Sequence, residues 1–391
     1  MKTNASWIGN HQETQGTWFT GKAVVQTLAD GVTAYDLKSG TQLWTTPLPG
    51  AGNHACLAPS DSYGGIGVVA YGGKHEGAWA GYACDHVAAY NLDTGKVVWS
   101  KSLNFTFKAN DVDPVDRDQV SVARSRGVVV VRTNKESIAL RIADGTSAWN
   151  PERAATGGCN AGSYTGGELL VRVQRCESGS YPNVKSWHTE SLIDPETGKA
   201  KWMTKEGNRA TTFPVSTLPM VFSSNTETYV ANEANGVRRS VFGSALDQTV
   251  NLFTERASGS VWPDTAVFAN VFVMGVAGKD HESGFVTAYD LDSGRQVWRT
   301  PAQAHTQYIP LMGTGANRIL VYVKTDNAAK LIEMGKYDGS MKTLVEYPES
   351  VNKSMSSGAW PHWHDGRIYV TGVGGGSGDT SHSLMVLPTT K

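Results

Sequence analysis

The chain of 391 residues is sparing in charge and cysteine, and it has no long apolar run. Asp, Glu, Lys and Arg together make up 18% of it, the net charge is −1, and Lys and Arg never form a run of five. Nucleic acids and anionic membrane surfaces select for a concentrated basic patch, so neither is expected as a partner. No stretch approaches the ~18 uninterrupted apolar residues of a spanning helix, so no membrane insertion by this segment is expected. The opening MKTNASWIGNHQET lacks the apolar core of a secretory signal, and a mature domain restarted at an added Met would read the same way.

The four cysteines are neither adjacent nor spaced closely enough for a zinc site. Cys56 and Cys84 flank one repeat, and Cys159 and Cys176 flank another. An even number placed this way predicts two intra-repeat disulfides, Cys56–Cys84 and Cys159–Cys176, and with them an oxidising, extracytoplasmic location. Such a chain would be secreted, a surface lipoprotein or a tethered ectodomain. Four buried free thiols in a cytoplasmic protein are the alternative.

Glycine (43 residues), Trp (12) and Tyr (14) are abundant, a profile of many tight turns and large packing groups. They recur in a phrase: AYDLKSGTQLW from Ala34, AYNLDTGKVVW from Ala89 and AYDLDSGRQVW from Ala288. Two further copies keep the Gly-x-x-x-Trp ending, so that Trp44, Trp99, Trp149, Trp202 and Trp298 align. Before each Gly lies a short strand-like run, and in four copies the Asp or Asn closing it (Asp36, Asn91, Asp194 and Asp290) accepts from backbone N–H groups in an Asx turn. The Gly supplies positive φ, and the Trp begins the next strand as a group able to fill the space between sheets. Weaker copies place strand ends near 36, 91, 141, 194, 244, 290, 336 and 385, which makes eight units of 46 to 55 residues.

That period with four strands per unit predicts an all-β, single-domain β-propeller over 1–391, with eight antiparallel blades. The blades fall roughly at 10–48, 53–103, 119–150, 157–204, 214–254, 261–300, 306–347 and 358–391, with residues 4–9, including Trp7, supplying the last outer strand. Seven blades is the alternative. A linear solenoid is disfavoured, because no polar capping repeat is visible.

The phrase A-x-D-x-x-[ST]-G-x-x-x-W resembles the tryptophan-docking repeat of the pyrroloquinoline-quinone (PQQ)-like propellers. That group includes quinoprotein alcohol dehydrogenases, the BamB-type outer-membrane assembly lipoprotein and secreted actinobacterial proteins. The resemblance implies a fold and leaves the activity open. Its dehydrogenases use adjacent cysteines beneath the quinone and calcium held by Glu, Asn and Asp, and this chain has no adjacent cysteines. No cofactor is therefore expected, with PQQ or calcium as the alternative.

Ligands of propellers often sit where the chain crosses from one blade to the next. Those segments bring forward His54, Asp111, His305, Tyr308, His362 and His364 as candidate ligand-binding residues at the axis. Of the pair His362 and His364, at most one is expected to face the axis. NDVDPVDRDQ, with Asp111, Asp113, Asp116 and Asp118, looks like a calcium loop but lacks the Gly and final Glu of an EF-hand. GVGGGSGD from Gly372 lacks the Lys and helix of a phosphate loop, and AWPHWHD offers aromatic faces to a sugar. No catalytic triad context is visible.

The expectation from sequence is a monomeric, non-enzymatic binding or scaffolding module for a protein or cell-envelope glycan. An enzyme at the axis is the alternative: a PQQ- or metal-dependent oxidoreductase, or a polysaccharide lyase or hydrolase.

Overall fold

In the computed structural model the chain is almost entirely β, organised as eight antiparallel sheets of four main strands, two of which carry a further two-residue strand, Gly81–Tyr82 and Gln303–Ala304. The structure describes all residues except 1–5, 9–13, 76–80, 83, 105–119, 134–135, 154–157, 161, 180–182, 207–212, 224–226, 243–264, 278–282, 315–316, 354–359, 372–383 and 390–391. Blade 1 runs from its inner strand Gly16–Phe19 through Ala23–Leu28 and Gly31–Asp36 to the outer Gln42–Pro47. Blade 2 comprises Asn53–Leu57, Ile66–His75, His86–Asn91 and Val97–Ser102. Blade 3 is Ser121–Ser125, Val128–Arg132, Glu136–Arg141 and Ser147–Arg153, and blade 4 is Ser163–Thr165, Leu170–Ser178, Lys185–Ile193 and Ala200–Glu206.

Blade 5 follows with Phe213–Thr217, Met220–Ser223, Thr228–Ala231 and Arg238–Phe242. Blade 6 is Thr265–Phe268, Val271–Ala277, Ser283–Asp290 and Gln296–Arg299. Blade 7 is Thr306–Thr314, Arg318–Thr325, Ala329–Gly335 and Met341–Tyr347. Blade 8 has Trp360–His364, Arg367–Thr371 and Leu384–Pro388, and its outer strand is the N-terminal Ser6–Ile8, which pairs Trp7 with Met385. The ends of the chain thus share one sheet, which leaves no open seam between first and last blade.

The core is divided among the interfaces between blades. Val25, Ala34 and Trp18 of blade 1 pack with Val69, Ala88 and Tyr90 of blade 2. Equivalent clusters lie at each following interface, and Val24 and Tyr35 meet Tyr369, Leu384 and Val386 of blade 8 to complete the circle. Neighbours along a strand point to opposite faces, so Val24 serves one interface and Val25 the other. That is why second and third strands are apolar over much of their length, as in the fully buried Val128–Val131.

The repeated phrase performs the docking. The Asp36 carboxylate accepts from the N–H groups of Lys38 and Ser39, and Asn91, Asp194 and Asn232 make the same turn. Trp44, Trp99, Trp149, Trp202 and Trp298 rest on Gly95, Gly145, Gly198, Gly236 and Gly339 of the blade that follows. A Cβ on those glycines would lie 2.5 to 2.9 Å from the indole, and each glycine has φ between 63° and 73°. Four indoles also donate to the carbonyl just past the strand end of the next blade: Trp99 to Ile142 (2.7 Å), Trp149 to Pro195 (3.1 Å), Trp202 to Glu233 (2.8 Å) and Trp298 to Lys336 (2.7 Å).

Blade 5 differs from the sequence reading. Its third strand is Thr228–Ala231, closed by Asn232 and Gly236, and the segment expected to end near 244 is instead the fourth strand, Arg238–Phe242. The reason is a substitution in the phrase. Ser240 stands opposite Val230 as Trp44 stands opposite Ala34, so the aromatic marker is missing. The Ser240 hydroxyl donates to Leu291 O at 2.5 Å, the carbonyl an indole would otherwise reach.

Candidate functional site

Antiparallel order sorts the loops of each blade onto two faces. The blade-to-blade connections and the hairpins between second and third strands share one face, here the connection face. The Asx–Gly turns and the hairpins between first and second strands lie on the other. On the connection face, His54 lies on the inner strand of blade 2, opposite Gly72 and half-buried. His305 precedes the inner strand of blade 7, takes φ 51°, and pairs with Asp326 of the adjacent hairpin at 3.2 Å. Nearby, burial pushes the Lys324 ammonium below its ordinary pKa, with Asp326 acting in the opposite sense.

Tyr308 is only 3% exposed, and packs with Val271, Val273 and Val286 in the interface between blades 6 and 7. Burial raises its phenol pKa. It belongs to the core as much as to the inner strand.

His362 and His364 lie on the inner strand of blade 8, and His364 pairs with Arg367 at the hairpin on the Asx-turn face. The expectation that at most one would share the axial side fails on strand geometry, because residues two apart point the same way. Both meet Phe19 of blade 1: His364 stacks on it at 4.4 Å between centroids, and His362 lies at 6.1 Å. His362 Nε2 also bonds Thr371 Oγ1 at 3.1 Å. The pair is thus drawn into the blade 8–blade 1 contact.

Asp111, with the rest of the acidic loop, and the GVGGGSGD segment lie outside the described residues. The remaining candidates are distributed over blades 2, 7 and 8, and only His362 and His364 are brought onto a common neighbour. Among the described residues no group of three or more His, Cys, Asp or Glu side chains is placed to hold a metal ion.

Two polar groups escaped the sequence reading. His86 Nδ1 lies 2.6 Å from Asp85 Oδ1 and the imidazole centroid 5.4 Å from that of Tyr71, on the same face and blade as His54. The Asp-His adjacency was the available signal. Between blades 4 and 5, Tyr229 donates to the buried Glu190 carboxylate, while Arg238 pairs with Glu227 and, at 2.9 Å, with Glu206. Arg238 also lies 4.0 Å over the Tyr229 ring. Burial and the Glu190 charge raise the Tyr229 pKa, so that phenol stays protonated. No sequence motif marks this network, since its members come from four strands.

Both expected disulfides are present: Cys56–Cys84 within blade 2 and Cys159–Cys176 within blade 4. All four cysteines are thereby spent on bridges between non-adjacent residues. They are not the adjacent cysteines that the resemblance implies for dehydrogenases.

Tryptophan-docked blades are the arrangement that the resemblance to the PQQ-like propellers implies. Residues 12–204, just under half of the chain, match the family model described as "Outer membrane protein assembly factor BamB". No curated protein sequence matches it. Among solved structures it is similar to BamB from Moraxella catarrhalis, at 11% identity and TM-score 0.54, covering 98% of this chain and 99% of that one. It is also similar to quinohemoprotein alcohol dehydrogenases from Pseudomonas putida HK5 (12% identity, TM-score 0.57, 100% of this chain and 76% of that one) and Comamonas testosteroni (14%, 0.55, 98% and 76%). At these identities the likeness is one of fold.

Proposed function

We propose that the chain is a non-enzymatic, extracytoplasmic binding or scaffolding propeller that presents its connection face to a protein or a cell-envelope glycan. The observation that carries this reading is where the distinctive groups are spent. The Asx carboxylates, glycines and indoles of the phrase are engaged in joining blades, and the candidate histidines sit on three blades with local partners of their own. Catalysis instead needs several such groups converging on one reacting atom. Two disulfides support an oxidising compartment. The match to an assembly-factor family favours a protein partner.

The test is photo-crosslinking in the native host from single positions on each face. Probes at His54 and His305 should capture one defined partner, while probes at Ser39 and Asp292 on the Asx-turn face should not. Equal capture from both faces, or turnover of an alcohol by the protein supplied with PQQ and calcium, would contradict the proposal.

A further inference from the structure

Blade 3 and blade 4 meet through a seam that is apolar at one end and polar at the other. Ala123, Val130 and Ala139 of blade 3 pack there with Leu170 and Ile193 of blade 4. Residues two apart along a strand share a face. The next row toward the connection face of blade 3, in register across three strands, is Ser121–Arg132–Ser137. On the facing side of blade 4, Arg172 and Ser191 are in register, and Thr189 follows two residues from Ser191. The two sides touch electrostatically: the half-buried Arg132, whose guanidinium pKa burial lowers, interacts with the Tyr164 hydroxyl of blade 4.

The hydroxyls of Ser121, Ser137, Thr189 and Ser191 are all buried in this seam without a hydrogen-bond partner. Ser137 and Ser191 are wholly inaccessible, Thr189 is 4% exposed and Arg172 is 7% exposed. Buried hydroxyls are ordinarily paired, so four orphans on the facing sides of one interface mark a place built for a further polar group. Ser121 and Arg132, at the connection-face end, are half-buried, whereas Ser137 and Ser191 are closed off from solvent. Arg172 is also positioned: Gly162, at φ 79°, gives way to its side chain, and a Cβ there would lie 2.8 Å from Arg172 Cγ. Both guanidiniums make other contacts as well.

A guanidinium only donates and a hydroxyl can donate as well as accept, so hydroxyls lining a seam with positive charge among them suit a compact group of acceptor oxygens. We propose that the seam between blades 3 and 4 is a binding site for a small oxyanion, in which Arg132 and Arg172 supply charge and Ser137, Thr189 and Ser191 supply the floor. The oxygens are those of a phosphate-type tetrahedral anion or of a carboxylate.

The test combines calorimetry with crystallography. Inorganic phosphate and acetate are titrated separately at constant ionic strength, and crystals grown with selenate are examined for anomalous scattering. Saturable binding of either anion, with a selenium or acetate peak between Arg172 and Ser191, is the expected result; the tighter of the two names the source. The double variant Ser137→Ala/Ser191→Ala should weaken binding about tenfold or more, because hydrogen bonds to a charged ligand are lost. If that variant does not fold, the near-isosteric Thr189→Val is used with the same readout. A seam holding only ordered water, or an anion affinity that these variants leave unchanged, overturns the proposal.

Discussion

Trp44 of blade 1 rests on Gly95 of blade 2, in the place where a Cβ on that glycine would come within 2.5 Å of the indole. The glycine answers two demands at once. Its φ of 73° closes the Asx turn of its own blade, and its bare α-carbon receives the ring of the preceding one. Local turn chemistry and long-range docking are therefore decided by one residue, which explains why the phrase recurs as a unit.

Gly145→Ala imposes both a left-handed alanine and a collision with Trp99. The expected cost is about 2 kcal/mol or more, from left-handed strain and overpacking together. Chemical denaturation would show it as a lowered midpoint with an unchanged slope.

Trp298 is 8% exposed and donates to Lys336 O, whereas Ser240, at the same position of blade 5, offers a single short hydrogen bond. Trp298→Ala should destabilise by about 3–5 kcal/mol, and Ser240→Ala by about 1 kcal/mol. Equal losses in the two variants would show that the indole is not the main fastening.

Hydrogen bonds donated by Ser39, from its backbone N–H first and its hydroxyl second, hold the Asp36 carboxyl below its ordinary pKa of 3.8. The Ser293 hydroxyl and N–H do the same for Asp290. A carboxylate depressed in the folded state adds stability that is complete above its unfolded pKa and lost as pH falls through the folded value. Stability should therefore decline on acidification from about pH 4 downward. Asn91 and Asn232 make the same turn without a charge. Asp36→Asn should accordingly keep the neutral-pH melting temperature and reduce the acid loss, as a pH series of thermal melts would record.

The bridges Cys56–Cys84 and Cys159–Cys176 close loops with sequence separations of 28 and 17. Replacing either pair by alanines should cost about 2–4 kcal/mol, chiefly by freeing the unfolded chain. Mass spectrometry of non-reduced peptides should recover these two pairings, and any other pairing would contradict the fold of blades 2 and 4.

Tyr229→Phe removes a donor from the buried Glu190 carboxylate between blades 4 and 5. A loss of about 1–3 kcal/mol is expected, the range for depriving a buried acceptor of a partner. A neutral result in denaturant melts would mean that the network is idle.

The fold was legible because its determinants are local. Asp36, Gly40 and Trp44 lie within one turn and two strand ends, and the same spacing repeats. Blade 5 was misread for the complementary reason: with Ser240 in place of Trp, the one conspicuous residue of the phrase was gone, although Asn232 and Gly236 still formed the turn. The candidate site was much less legible. His54, His305 and His362 announce themselves by type, but whether such residues converge depends on the radial and axial position of eight sheets. Ser137 and Ser191 are ordinary strand residues in sequence and acquire meaning only by facing each other across an interface.

The central functional claim, a binding module without quinone chemistry, is tested most directly by calorimetric titration of the purified, disulfide-bonded protein with PQQ in the presence of calcium. The account predicts no saturable heat. Stoichiometric binding at micromolar concentration, abolished by chelating calcium, would contradict it.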